Sequence, residues 1–325
     1  VSVSCEVQPE FREYERMSTT VLNGFLQPEV SHYMKRLRAE LEVRLPDASL
    51  GINQSNGGLM SIAQAATHPI RTALSGPAAG VVGAVATARR SGIGNVITLD
   101  MGGTSTDVCL IRDHEAQMTT GREVAGFPVR LPAVDIHTIG AGGGSIASFA
   151  ADGLLMVGPN SAGAVPGPAC YGRGGDLPTV SDANLVLGRL PGELVGGGMV
   201  LDEEAARASM EPVARTLSMS IEQAAMSIAR IVTSNMVRAI RLVSIERGHD
   251  PREFALMPFG GAGGLHAFDV ANEMGIGQLL VPLAPGILCA EGLVVSDLKE
   301  DFVATCRTPL AEDLSDIRRE LDRLV

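Results

Sequence analysis

Two carboxylates and a run of small residues lie close together near residue 100, between two apolar segments. The sequence there is Asp100-Met101-Gly102-Gly103-Thr104-Ser105-Thr106-Asp107. Glycine amides can approach a ligand closely and form a nest for an anion, and the hydroxyls of Thr104, Ser105 and Thr106 can donate further hydrogen bonds. Asp100 or Asp107 can orient a water molecule bound to magnesium. The segment therefore favours triphosphate binding, and a plain glycine turn in a β-hairpin is the structural alternative.

A second glycine-rich segment occurs late in the chain and has the sequence Pro258-Phe259-Gly260-Gly261-Ala262-Gly263-Gly264. A strand-like run at 254–257 precedes it, and a predicted helix at 265–274 follows it. This order is typical of nucleotide sites, because bare backbone accommodates a purine or ribose and the helix start favours anions. Close packing of the helix on a sheet is the alternative. The pattern is neither the dinucleotide fingerprint nor a Walker-type Gly-Lys-Ser/Thr segment.

A third glycine cluster has the sequence Gly140-Ala141-Gly142-Gly143-Gly144-Ser145. Its backbone can hold a phosphate or an oxyanion, or it can serve as a hinge or a tight chain crossing. Gly142 and Gly143 are therefore candidate ligand-binding residues. Asp135 and His137 precede the cluster, but a lone Asp-x-His pair lacks the third ligand that a metal site needs. The pattern favours a structural or orienting role for His137.

The composition restricts the classes of function. With 325 residues, 45% of them hydrophobic, the chain can bury one large core or two ordinary cores. A net charge of −11, no tryptophan and 3% aromatic residues leave neither a basic stripe nor stacking platforms for nucleic acid. No apolar run is long enough to span a bilayer, and no leader pattern opens the chain. We therefore expect a cytoplasmic protein without a membrane or nucleic-acid partner.

The cysteines are scattered and odd in number. They are Cys5, Cys109, Cys170, Cys289 and Cys306, and none belongs to a Cys-x-x-Cys pair. This usage argues against a disulfide framework and against a zinc site, so we expect reduced thiols that are mostly packed.

Apolar periodicity and capping patterns predict the elements that position these residues. Strands are predicted at 96–99 and 108–111, on either side of the first glycine turn. An alanine-rich helix is predicted at 77–90, with proline near its first turn. Ser220 and Gln223 form a capping box that opens the longest helix.

Two more helices are predicted with clear caps. One covers 20–45, is capped at residues 18–19 and is interrupted at Pro28. The other is shorter, extends through Leu190 and is capped by Ser181 and Asp182, which gives Asp182 a structural role.

The chain resembles the actin-like ATPase superfamily in its first glycine hairpin and in its late Gly-Gly-Ala-Gly turn. More closely, it resembles the hydantoinase A and 5-oxoprolinase family. The further matching segments are Ser75-Gly76-Pro77-Ala78-Ala79-Gly80, Asp135-Ile136-His137-Thr138-Ile139-Gly140-Ala141-Gly142-Gly143-Gly144-Ser145 and Ala162-Gly163-Ala164-Val165-Pro166-Gly167-Pro168-Ala169-Cys170-Tyr171-Gly172. Members of this family begin with another Asp-x-Gly-Gly-Thr-x-Thr-Asp hairpin, and none precedes Asp100. We therefore expect a partial chain.

The resemblance implies an α/β fold that contains an actin-like, ribonuclease H-like ATPase lobe. Residues 1–75 are then the remainder of a first lobe, and 76–91 form an inter-lobe helix. Residues 92–305 form a second lobe with a family-specific insertion, rich in glycine and proline, at about 121–198. Residues 306–325 begin a C-terminal helix.

The resemblance also implies ATP-dependent hydrolysis of a cyclic amide of the hydantoin or 5-oxoproline type, through phosphorylation of the amide oxygen. Asp100 and Asp107 are then catalytic, and Asp100 positions Mg²⁺. The implied ATP-binding residues are Gly102, Gly103, Thr104, Thr106, Gly142, Gly143, Gly260, Gly261, Ala262 and Gly263. A B-type hydantoinase subunit or domain is the implied partner, and a homo-oligomer is left open. The alternatives are a subunit of an ATP-dependent acetone or acetophenone carboxylase and a non-catalytic nucleotide-binding lobe.

Overall fold

The computed structural model describes residues 1–194, 198–303, 305 and 315–324, without the side chains of 316 and 324. The helices of this part, α1 to α10 in chain order, are Ser4–Val7, Glu13–Arg44, Ile62–Thr67, Ser75–Ser91, Val180–Val186, Glu203–Leu217, Ile221–Val243, Gly263–Met274, Leu288–Val295 and Ser315–Leu324. The strands, β1 to β15, are Gly51–Asn53, Leu59–Ser61, Val96–Met101, Thr106–Arg112, Glu115–Ala116, Met118–Thr119, Arg122–Val124, Phe127–Val129, Ala133–Val134, Ile136–Ile139, Ser145–Phe149, Leu155–Ser161, Glu193–Leu194, Met199–Val200 and Ala255–Phe259.

The chain divides into two compact units. The first consists of Val1–Val82, Met118–Asp135 and Gly292–Val325, and the second of Gly83–Gln117 and Ile136–Glu291. In the first unit, the long helix α2 packs on α3, and short antiparallel hairpins pair β1 with β2, β6 with β9 and β7 with β8.

The helix predicted at 20–45 is longer and more continuous than expected. It begins at Glu13, so residues 18–19 lie inside it and do not cap it, and Pro28 does not interrupt it. A proline inside a helix costs about 3 kcal/mol relative to alanine. Burial of Met34 against α3 and its neighbours stabilises the helix beyond the proline and offsets this local cost.

The second unit is built on a mixed sheet with the strand order β10-β4-β3-β15. Strand β4 is antiparallel to both of its neighbours, β10 and β3, whereas β15 is parallel to β3. A parallel bridge between Leu256 and Leu279 extends this edge. This arrangement of helices on a mixed sheet confirms the predicted α/β class.

Alternation along β3 determines which residues reach the core. Ile97, Leu99 and Met101 belong to a buried cluster that also contains apolar residues of α5, α6, α7 and α8. Successive side chains of a strand point to opposite faces, so Asp100 lies on the face of the sheet that is turned away from this cluster. Asp107 on β4 is its direct cross-strand partner and shares that face. The same apolar burial that fixes this sheet therefore places both carboxylates at the turn end of the β3–β4 hairpin.

The predicted helices that border the site are present, with one change of cap. α4 and α8 cover the predicted segments, and Ser220 caps α7 in the expected capping box with Gln223. The shorter helix α5 begins after Thr179 and ends at Val186. Thr179, not Ser181 or Asp182, is therefore its N-cap, and Asp182 occupies the third helical position of a capping box.

The region 121–198 contains short strands and the helix α5 in its described part. The helix α10 lies within the predicted C-terminal segment, whereas residues 306–314 and 325 of that prediction lie outside the described residues. Among the residues with described structure, no helix is both long and apolar enough to cross a membrane.

Candidate nucleotide and metal site

Asp100 and Asp107 face each other across the β3–β4 hairpin and are both half-buried. Burial, followed by repulsion from Asp107, raises the pKa of Asp100 to about 6. Burial also raises the pKa of Asp107. Two carboxylates held in a poorly solvated place favour a proton or a cation beside them.

Two side chains from outside the hairpin contact these carboxylates. The hydroxyl of Thr138 on β10 donates a hydrogen bond to Oδ1 of Asp107. The thiol of Cys289, at the start of α9, donates to Oδ2 of Asp100 over 3.5 Å. Thr138 and the charge of His137 lower the pKa of Asp107 and so oppose part of the effect of burial. The carboxylates thus belong to a site that three strands and a helix build.

The turn between β3 and β4 leaves backbone donors free. The amide of Gly102 is used, because it donates to the carbonyl of Ser105 over 3.0 Å. Within the described residues, the amides of Gly103 and Thr104 donate to no protein atom, and both residues are exposed. These two amides, with the exposed hydroxyl of Thr104, are placed to bind an anion in the manner of a backbone nest.

Thr106 has a different environment from Thr104. Its side chain is fully buried, and its hydroxyl donates a hydrogen bond to the carbonyl of Ala141. A hydroxyl has one proton to donate, so this proton is not free for a phosphate. Thr106 therefore connects the hairpin turn to the 140–145 loop.

The 140–145 loop supports the hairpin turn through its backbone. The amide of Gly143 donates to the carbonyl of Gly102 over 3.0 Å, and the amide of Gly144 donates to the carbonyl of Gly103 over 2.6 Å. A β-carbon on Gly142 would lie 2.6 Å from backbone atoms of Gly103 and Thr104. The geometry favours the tight crossing over direct phosphate binding, because the amides that could bind an anion are already used.

The 260–263 turn lies against the same hairpin. It follows β15, where Phe259 is the parallel partner of Asp100. A β-carbon on Gly260, whose φ is +77°, would lie 2.4 Å from Oδ1 of Asp100. The amide of Ala262 donates to the carbonyl of Met101 over 2.9 Å. Gly263 is buried, Gly261 is exposed, and the turn leads directly into α8. This turn thus meets the hairpin at the carboxyl ends of β3 and β15.

Helix α5 holds the crossing from the other side. The amide of Ser181 donates to the carbonyl of Gly143 over 2.7 Å. Asp182 is fully buried and accepts hydrogen bonds from the amides of Ala169, Cys170 and Thr179 and from the Thr179 hydroxyl. The structural role predicted for Asp182 is confirmed.

Sequence reasoning did not single out Thr138, Ser181 or Cys289 for these roles. Thr138 lies inside the segment 135–145 that carries the family resemblance, which is a usable signal. The sequence predicts Ser181 as a helix cap, but its bond to Gly143 depends on the tertiary fold. Cys289 had no local pattern around it.

The carboxylate pair fits a magnesium ion bound together with phosphates. In the described part of the chain, no group of three or more His, Cys, Asp or Glu residues is arranged to hold a metal. Mg²⁺ typically takes one or two protein carboxylates and fills its remaining positions with water and phosphate oxygens. Asp100 and Asp107, whose charges repel at short range, supply the oxygen ligands such an ion prefers.

His266, in the first turn of α8, is fully buried, and its Nε2 lies 3.0 Å from Nδ2 of Asn184. Burial, with a smaller contribution from Arg189, lowers its pKa to about 4. The residue therefore packs between α5 and α8 as a neutral imidazole.

Comparison with known proteins identifies clear relatives. Residues 16–302 match the family model described as Hydantoinase/oxoprolinase. The alpha subunit of caprolactamase from Pseudomonas jessenii is 42% identical, over 97% of this chain and 45% of its own length. A 5-oxoprolinase from Saccharomyces cerevisiae is 34% identical, over 96% of this chain and 25% of its own length.

Two solved structures have the same fold over most of the chain. The crystal structure of the ATP-dependent caprolactamase from P. jessenii superimposes with a TM-score of 0.87 at 40% identity, over 100% of this chain and 48% of that one. A nucleotide-free structure of acetone carboxylase gives a TM-score of 0.81 at 27% identity, over 90% of this chain and 42% of that one. The chain thus spans about half the length of these proteins, or less.

Proposed function

We propose that this chain, which belongs to the hydantoinase/oxoprolinase family, is the ATP-binding part of an enzyme that hydrolyses a cyclic amide at the expense of ATP. The names of two relatives, caprolactamase and 5-oxoprolinase, support this class of substrate. The reaction belongs to the whole protein, of which the chain corresponds to about half or less.

One observation carries the proposal. The β3–β4 turn and the 260–263 turn meet beside Asp100, with free amides at Gly103 and Thr104 and the start of α8 close by. Ligands of open α/β sheets bind beyond the carboxyl ends of the strands, and a helix start favours phosphate. Backbone donors, a carboxylate pair and a glycine turn for the adenosine are the set that Mg·ATP requires.

We assign roles to the residues from this geometry. Asp100 binds Mg²⁺, and the amides of Gly103 and Thr104 bind phosphate oxygens. The turn of Gly260, Gly261, Ala262 and Gly263 lies under the adenosine. We call the turn between β3 and β4, residues 102–105, the phosphate turn. Its shape is held by Gly102, Thr106, Gly142 and Gly143, which do not contact the phosphates themselves. Asp107, oriented by Thr138, accepts the proton of the attacking water.

The chemistry explains why the reaction needs ATP. An unstrained amide carbonyl is a poor electrophile, and transfer of the γ-phosphoryl group to the amide oxygen makes its carbon a better target for water. The transfer releases ADP. One water molecule then adds to the activated carbon and the ring C–N bond breaks, which gives an amine and an acyl phosphate. A second water molecule hydrolyses the acyl phosphate to a carboxylic acid and phosphate. When bound, Mg²⁺ neutralises charge on the phosphates during this transfer. The amides of Gly103 and Thr104 stabilise the remaining charge, since they are already oriented.

A second candidate is supported by the acetone carboxylase structure, which shares the fold at 27% identity. A ketone carboxylase also activates a carbonyl compound with ATP, and the carboxylates and phosphate turn described above serve either reaction.

The experiment measures ADP release by the whole protein with caprolactam, 5-oxoproline or hydantoin, and with acetone or acetophenone plus bicarbonate. We expect turnover with at least one cyclic amide and loss of that turnover in Asp100→Asn. If ADP release increases only with a ketone plus bicarbonate, and with none of the cyclic amides, the carboxylase function is selected. ATP binding without turnover on any of these compounds selects a non-catalytic lobe.

A second polypeptide completes the enzyme in this proposal. The caprolactamase relative is named as an alpha subunit, which supports a B-type partner subunit or domain for much of the amide site. The cytoplasmic location also remains a proposal, supported by five scattered cysteines that form no Cys-x-x-Cys pair in the sequence.

A further inference from the structure

We propose that Cys289 is a positioning residue whose thiol holds the Asp100 carboxylate in the orientation that binds magnesium. The inference rests on the proposed function. It adds a residue that lies outside the 100–107 hairpin and outside the glycine segments 140–145 and 260–263.

Both oxygens of Asp100 are restrained by contacts from outside its own hairpin. Oδ2 accepts the thiol of Cys289 over 3.5 Å. Oδ1 lies against the backbone of Gly260, where a β-carbon would be only 2.4 Å away. The carboxylate therefore lies between the thiol and a backbone surface that only glycine leaves open.

The two restraints are built by one short segment. The carbonyl of Pro285 accepts the amide of Gly260 over 3.0 Å, which fixes the glycine turn. A single helical turn, Pro285–Ile287, then leads directly into α9, with Cys289 as its second residue. The same segment thus sets the position of Gly260 and delivers the thiol to Asp100.

A metal-binding carboxylate gains affinity when a hydrogen bond fixes its orientation. Removal of such a supporting group typically lowers metal affinity by 10- to 100-fold. A thiol is a weak donor, so we expect an effect of about tenfold, at the lower end of this range. Serine keeps a hydroxyl donor at the same position, whereas alanine keeps none.

The test measures Mn²⁺ binding by electron paramagnetic resonance in the whole protein with a non-hydrolysable ATP analogue. It is paired with the Mg²⁺ dependence of ATP turnover. We expect Cys289→Ala to weaken Mn²⁺ binding about tenfold and to raise the half-saturating Mg²⁺ concentration equally. Cys289→Ser should remain within about twofold of wild type. Cys5→Ala, which removes an exposed thiol, is the control.

Wild-type Mn²⁺ affinity in Cys289→Ala overturns the inference, and so does equal weakening in the alanine and serine variants. Asp100→Asn separates this failure from failure of the proposed function. If Asp100→Asn retains wild-type Mn²⁺ affinity, the metal role of Asp100 is wrong. If it loses Mn²⁺ while Cys289→Ala does not, only the role of Cys289 is wrong.

Discussion

The amide of Gly143 donates a 3.0 Å hydrogen bond to the carbonyl of Gly102, so the 140–145 loop rests directly on the phosphate turn. This contact requires two backbones to approach at a distance that a side chain would prevent. It explains why the 140–145 glycine cluster accompanies the one at 102–103, although the amides of Gly142, Gly143 and Gly144 are not free to bind an anion.

The tight crossing predicts the effect of a single methyl group. A β-carbon on Gly142 would lie 2.6 Å from the backbone of Gly103 and Thr104, so Gly142→Ala must displace the phosphate turn. We expect loss of ATP turnover and a decrease of about 1–3 kcal/mol in the free energy of unfolding. Gly121→Ala, where no atom lies within 4 Å, is the matched control. Unchanged nucleotide affinity in Gly142→Ala would contradict the supporting role of the loop.

Asp100 predicts a decline of stability with rising pH. Its pKa is about 6 in the folded protein, above the ordinary value of 3.8 for an aspartate, so the folded state binds the extra proton between these values. Its contribution to stability is therefore present below about pH 4 and is lost as the pH rises through about 6. Urea titrations measure the free energy of unfolding at each pH. The value for Asp100→Asn, relative to that of wild type, should increase by about 2–3 kcal/mol as the pH rises from about 4 to above 6. A stability difference that does not vary with pH would refute this assignment.

His266 predicts a change of the opposite sign. Its pKa is lowered to about 4, so the unfolded chain binds a proton that the folded state does not hold between about pH 4 and its ordinary value of 6.5. The contribution of His266 to stability should rise with pH through this window, against that of Asp100, so His266→Gln should gain less stability, or lose more, with rising pH than wild type does. Denaturant titrations at several pH values measure this slope. His32→Gln, at an exposed position of α2, controls for loss of an imidazole. A wild-type slope in His266→Gln would disprove the prediction.

The reactivity of Cys289 should report on the charge of Asp100. Burial, followed by the neighbouring charge and hydrogen bond of Asp100, raises the pKa of this thiol to about 12. The thiolate is the reactive form, so iodoacetamide should modify Cys289 slowly at neutral pH. Asp100→Asn should speed the modification, since it removes the negative charge beside the sulfur. Mass spectrometry distinguishes Cys289 from the exposed Cys5, and equal rates in both proteins would count against the contact.

The local sequence predicted the strands and the helices beside the site, because apolar alternation, capping residues and glycine turns are local properties. It placed Asp100 and Asp107 in one hairpin for the same reason. It did not distinguish Thr104, which is exposed, from Thr106, whose proton is used by Ala141. That distinction depends on a loop that arrives from another part of the chain.

Two local predictions were wrong because tertiary packing decided the outcome. Pro28 does not break α2, since the helix beyond it is held against α3. Thr179 caps α5 in place of Ser181 and Asp182, because Asp182 is buried among backbone donors of the preceding loop. The contribution of Cys289 could not be predicted either, since Asp100 is a distant neighbour in sequence.

The order of the turns along the chain also governs when the site can exist during synthesis. Asp100 leaves the ribosome well before the turn at Gly260 and the thiol of Cys289. A nascent chain that ends between β4 and β15 therefore carries the phosphate turn without Gly260 and Cys289, the two residues beside the Asp100 carboxylate. Messages truncated in this interval should yield products that fail to be retained on immobilised ATP.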